Sequence, residues 1–125
     1  MEHCLCGSEK AYEMCCARVH EDLNQATSAE DLMRARYTAF ARRMMGFIYD
    51  SFHPVCRRHQ NRREIEQWAR ENEWLHLDII KCTYSTVEFK AHYLDVHRQV
   101  QIHHEKSAFK QLNGTWFYVS GKVPS

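Results

Sequence analysis

Four cysteines fall within the first sixteen residues of this chain, as Cys4-x-Cys6 and then the adjacent pair Cys15-Cys16. The segment that carries them, HCLCGSEKAYEMCCARVH, has almost no aliphatic bulk with which to build a core of its own. A metal supplies what is missing, because in small sites binding energy becomes folding energy. Four soft thiolates on one short loop select a tetrahedral ion, zinc ahead of iron. Redox-active or incidental cysteines are the alternatives. Disulfides fit less well: Cys15 and Cys16 pair poorly with each other, and the N-terminus shows no apolar stretch of the signal-peptide kind. Closely spaced cysteines in a reducing compartment bind metal more often than they bridge. Gly7 and Ser8 provide a backbone permissive enough to wrap two thiolates around one ion, and Lys10 and Arg18 offset the site's negative charge.

A chain of 125 residues that is 44% hydrophobic has room for one cored domain and a small appendage, and is not a disordered tail. No run of about 18 apolar residues is present, so no membrane span is expected. A formal net charge of +1 gives no electrostatic reason to expect nucleic acid or an anionic surface as partner.

Residues 21–28 read as a polar linker. Thr27 with Glu30 matches a capping box, after which Met33, Tyr37, Phe40 and Met44 recur at helical spacing. Gly46 permits a break, and a short helix or turn through Phe47–Phe52 is stopped by His53-Pro54. Residues 61–72 form a polar helix anchored by Ile65, Trp68 and Ala69. The remainder alternates: Leu75–Ile80, Val87–Tyr93, Val100–Phe109 and Trp116–Ser120 read as strands, with Asn113-Gly114 as a type I′ hairpin turn. Helices first and an antiparallel meander afterwards define an α+β fold, N-terminal helices packed on a curved four-stranded sheet.

Two sets of residues resemble known families. CLCGSEKAYEMCC is similar to the SEC-C motif, the zinc-binding tail of the bacterial export motor SecA. DLMRARYTAF, DSFHP, VEFKAHY, HEKSAF and NGTWFYVSG resemble the YchJ family, in which a SEC-C motif precedes a nuclear transport factor 2-like domain. The resemblance implies a zinc knuckle in residues 1–20 with Zn2+ held by Cys4, Cys6, Cys15 and Cys16, and a nuclear transport factor 2-like domain in residues 27–125. Leu5 stands where proline is common and Glu9 where glycine is common; Glu9 is expected to resist a positive φ. The family often carries a second, C-terminal cysteine motif, which residues 1–125 do not include.

The cone of such a domain usually holds a pocket. Tyr37, His53, Trp74, His104, Glu105, Ser107, Trp116 and Tyr118 are the candidates to line it. Strand parity separates His104 from Glu105 and groups Glu105 with His103 and Ser107. Glu105 is expected to satisfy an arginine, Arg34 or Arg36. Those two do not share a helix face, so one should be solvated and one paired. The basic run Arg57, Arg58, His59, Arg62 and Arg63 is largely neutralised by Glu64, Glu66 and Glu71, and Cys56 and Cys82 read as structural.

From these residues the leading expectation is a cytoplasmic zinc-binding adaptor for a protein partner. The SecA resemblance suggests an export chaperone or the ribosome as that partner, and the globular domain supplies a homodimer face or a second contact. The alternative is an enzyme, a hydrolase or isomerase, with Glu105 or His53 as acid or base and Tyr37 or Tyr118 as orienting donor. A cavity with Glu105 inside and no arginine on it favours the enzyme; Glu105 tied to Arg34 or Arg36 counts against it.

Overall fold

The computed structural model describes residues 3–124. Five helices precede four strands: α1 Cys16–Glu21, α2 Ala29–Ala41, α3 Met45–Asp50, α4 Pro54–Arg57, α5 Arg62–Glu71, then β1 Glu73–Cys82, β2 Thr86–Leu94, β3 Val100–Leu112 and β4 Thr115–Lys122. The strands form one antiparallel sheet in the order β1-β2-β3-β4. This is the expected α+β architecture. The hairpin at Asn113-Gly114 has both residues at positive φ, 54° and 84°, as the type I′ turn requires.

Helix boundaries differ from the sequence reading in three places. The cap of α2 is Ser28, whose hydroxyl accepts from the Asp31 N–H, while Thr27 bonds the Asp31 carboxylate. The box therefore sits one residue later than Thr27–Glu30. His53-Pro54 does not end a helix; it opens α4, with the His53 ring accepting from the Val55 N–H and Pro54 at the first helical position, where its missing N–H costs nothing. The break before α3 falls at Arg43, which takes φ 56°, rather than at Gly46.

Helix α2 occupies the centre. Met33 and Tyr37 pack toward the sheet, as the helical stripe predicts. Leu32, Ala35, Thr38 and Ala39 are also buried, so the helix is enclosed on a second side as well. The cysteine segment covers part of that second side. Cys4, Cys6, Cys16 and Val19 belong to the same apolar cluster as Leu32, Ala35, Val87 and Phe109. The knuckle therefore shares its core with the body rather than hanging from it.

The outer edge of β4 is partly closed by the Ser51–His53 segment. The Tyr118 N–H donates to the Ser51 carbonyl and the His53 N–H to the Tyr118 carbonyl, each at 2.8 Å. That pairing sets Phe52 against Tyr118, with ring centroids 5.4 Å apart.

Candidate functional sites: a thiolate cluster and a cavity

The first site is the cysteine tetrad. The Sγ atoms of Cys4, Cys6, Cys15 and Cys16 all lie within 4.8 Å of one another. Cys6 and Cys15 are 3.6 Å apart, Cys15 and Cys16 3.9 Å. An ion about 2.3 Å from four tetrahedral sulfurs sets them about 3.8 Å apart, so the donor set and its spacing fit a single metal ion. Hydrogen bonds from Cys16 and then Cys6 hold the Cys4 thiol far below the ordinary thiol range, and the same contacts push Cys16 far above it. Burial raises Cys15.

Neighbouring groups tie the tetrad down. The Thr38 hydroxyl donates to Cys16 Sγ at 3.4 Å, and Ser8 Oγ lies 3.1 Å from Cys15 Sγ. Arg34 bridges knuckle and body: Nη1 donates to the Cys6 carbonyl at 2.6 Å and Nε to Glu30 at 2.9 Å. His20 Nε2 lies 2.7 Å from the Ala35 carbonyl, which only accepts, so Nε2 carries the proton and Nδ1 accepts from the Tyr12 hydroxyl at 2.8 Å. Arg18 uses its Nε on the Met14 carbonyl. Gly7 adopts φ 83° and Glu9 φ 69°. Glu9 therefore takes the left-handed conformation it was expected to resist, because the tetrad's closure fixes the loop around it.

The second site is a cavity of about 430 Å³ between α2, α5 and the sheet. Tyr37, Trp74, Glu105 and Tyr118 line it, as do His103, Arg36 and Trp68. Ser107 is fully buried behind Glu105. The other candidates lie elsewhere: His53 caps α4, His104 points to the opposite sheet face and pairs with Glu88 at 2.7 Å, and Trp116 packs under Tyr84.

Glu105 is the cavity's central charge. Oε1 accepts from His103 Nε2 at 2.8 Å; Oε2 accepts from the Ser107 and Tyr118 hydroxyls, the latter at 2.9 Å. Burial pulls the carboxyl upward, but those three donors outweigh it and keep Glu105 below the ordinary carboxylate range. An ionised carboxylate only accepts, so His103 Nε2 carries the proton and Nδ1 is left as the acceptor. The expected arginine partner is not on Glu105. Arg34 pairs with Glu30, and Arg36 is neither solvated nor ion-paired. Arg36 is buried between the Phe52 and Tyr118 rings, 4.6 and 4.2 Å from their centroids, and its Nη1 donates to the Ile48 carbonyl and Ser51 Oγ. Burial lowers it to about 10, so it stays charged at neutral pH.

Gly121 makes the arrangement feasible. A Cβ there would lie 2.0 Å from Glu105 Oε2 and 2.5 Å from Tyr118 Oη. Gly121 carries no sequence signal for this role, whereas the shared strand parity of His103 with Glu105 does place the two together.

Two residues of the basic run are used internally, while Arg58, His59 and Arg63 are exposed. Arg57 donates to the Tyr49, Asp50 and Phe52 carbonyls, and Arg62 pairs with Glu66. Cys56 is half-buried, and Cys82 is exposed on the edge strand β1, where burial and Glu30 raise its thiol to about 11.

A curved antiparallel sheet, helices enclosing a cavity against it and a four-cysteine knuckle define an NTF2-like domain joined to a SEC-C-type motif. Residues 28–121 match the family described as the middle NTF2-like domain of YchJ. The chain belongs to the YchJ family. A UPF0225 protein of Geobacter sulfurreducens is 33% identical over 94% of this chain and 77% of its own length; one from Photorhabdus laumondii is 34% identical over 98% and 82%. The solution structure of a SEC-C motif containing protein from Rhodopseudomonas palustris superposes with a TM-score of 0.90 at 31% identity, covering 99% of this chain and all of that one. A crystal structure of a SEC-C motif containing protein from Psychrobacter arcticus gives 0.79 at 27%, covering 100% of this chain and 84% of that one. Among the described residues no helix is long and apolar enough to cross a membrane.

Proposed function

We propose that the chain is a zinc-stabilised protein whose working site is the cavity over Glu105, where it binds and acts on a small organic molecule. The observation that carries this reading is Glu105 inside the cavity, held by three donors and free of any arginine ion pair. His103 is the acid–base group and Glu105 its positioning partner, since the low carboxylate is a poor base but fixes the imidazole tautomer. Tyr118 secures Glu105 rather than the ligand. Proton transfer of the isomerase or hydrolase kind follows from that pair.

Residues 1–20 form the metal-binding motif and residues 27–125 the body. Cys4, Cys6, Cys15 and Cys16 hold Zn2+ in a closed four-thiolate site, which leaves no position for water and so serves structure. The fit of the sulfur spacing to one tetrahedral ion supports this.

A second reading, the adaptor, draws on one observation: Leu5 and Met14 are 54% and 67% exposed on the metal-fixed loop, an apolar pair suited to a protein partner. The two separate by substitution. In growth complementation of a deletion strain, His103→Gln should abolish function while replacing Leu5 and Met14 with Ser leaves it intact. The opposite pattern overturns the cavity reading in favour of the adaptor.

A further inference from the structure

Two consecutive residues of α2, Arg36 and Tyr37, are 4% and 3% exposed, and both line the cavity. Nη1 of Arg36 is satisfied by Ile48 and Ser51. Among the described residues its Nε and Nη2 make no hydrogen bond, the Tyr37 hydroxyl makes none, and no carboxylate lies within 4.0 Å of the guanidinium. These donors open on the cavity space, since among the described residues only Trp74 Nε1 is a fully enclosed side-chain donor without a partner, and a buried cation without a counter-charge is costly. The fold nonetheless holds this guanidinium rigidly, stacked between Phe52 and Tyr118. The cavity is the space left from which an acceptor can reach these donors.

We propose that the cavity's ligand is a small carboxylate with a flat apolar body, its carboxylate taken by Nε and Nη2 of Arg36 and by the Tyr37 hydroxyl. This rests on the reading of the cavity as the working site and names its ligand class. The guanidinium fork matches two carboxylate oxygens, and Arg is the residue suited to such a contact where water is excluded. Phe40, Trp68 and Trp74 supply flat walls for the body. A volume of about 430 Å³ suits a compound of one or two rings. The negative charge of Glu105 is already committed to His103, Ser107 and Tyr118, which lessens its repulsion of a second carboxylate.

The test uses the full chain loaded with zinc and three probes of one shape: benzoate, benzamide and toluene. Binding is read from the backbone amides of Ser120 and Gly121, which line the cavity, by heteronuclear NMR titration. Benzoate should bind ~10-fold or more tightly than benzamide, as a charge-assisted pair requires. Tyr37→Phe should weaken benzoate several-fold, leave toluene unchanged and keep or raise Tm, because it deletes a hydroxyl that has no partner in the free protein. Arg36→Lys, which keeps the charge and loses the fork, should also weaken benzoate. If benzamide or toluene matches benzoate, the carboxylate assignment is overturned while the cavity reading stands. If benzoate is preferred but Tyr37→Phe binds it equally, the role of Tyr37 is overturned. If none of the three shifts either amide at millimolar concentration, the cavity reading falls as well.

Discussion

Replacing Gly121 with Ala puts the hydrogen-bond cluster at the cavity floor under direct test. The residue's backbone is not left-handed, so conformational freedom is not what requires glycine here. Space is: the added methyl would stand 2.0 Å from Glu105 Oε2, 2.3 Å from its Cδ and 2.5 Å from Tyr118 Oη. A free side chain would swing aside cheaply. The Glu105 carboxylate is instead pinned by His103, Ser107 and Tyr118, and moving it loosens both bonds to Oε2. With hydrogen bonds to a charged acceptor contributing about 1.5–3 kcal/mol each and partly re-forming after the shift, the substitution should destabilise by about 2–4 kcal/mol. Urea unfolding of the zinc-loaded protein, followed by circular dichroism, measures this. In a Glu105→Ala background only the Tyr118 hydroxyl, released from its acceptor, still stands in the methyl's way, so the same substitution should cost about 1 kcal/mol or less, the difference being the coupling energy. If Gly121→Ala stays within ~0.5 kcal/mol of its parent in both backgrounds, the carboxylate is not pinned and the account of the floor is wrong.

Three further outcomes follow from the same contacts. Metal removal should loosen α2 as well as the knuckle, because Cys4, Cys6 and Cys16 lie in the core beside Leu32 and Ala35; hydrogen exchange should show α2 amides losing protection on chelation, and unchanged protection there would refute the shared core. Glu9→Gly relieves a left-handed φ of 69° and should tighten metal binding several-fold, about 1 kcal/mol, in a chelator competition. Glu105 has a folded-state pKa below its unfolded value of about 4.3, so it contributes stability above that value, and the contribution is lost as pH falls through the folded pKa; Glu105→Gln should be less stable at pH 7 and flatten the acid limb of the Tm profile.

Much of the fold was legible because local signals agreed with tertiary packing. The polar helix read over residues 61–72 is α5, with Asn61 as its cap, and Asn113-Gly114 makes its turn without help from elsewhere. Parity alone put His103, Glu105 and Ser107 on one face and His104 on the other. The second buried side of α2 was only partly legible, since Leu32 is apolar but Ala35 and Thr38 are small or polar and are covered by the cysteine loop. The partners of Glu105 were misjudged for a related reason. Tyr118 reaches it across the β3–β4 register, and Arg36 is turned instead toward Ser51 by the strand-like pairing of residues 51–53 with β4. Such contacts depend on where separate elements meet, which no local pattern encodes.

The claim on which both sites depend is a closed metal centre that fixes the loop against α2. X-ray absorption at the zinc edge on the purified chain tests it most directly. The expected result is one zinc per chain with four sulfur neighbours at about 2.3 Å and no light-atom ligand. A nitrogen or oxygen in the first coordination sphere, or full folding with no bound metal, would contradict it.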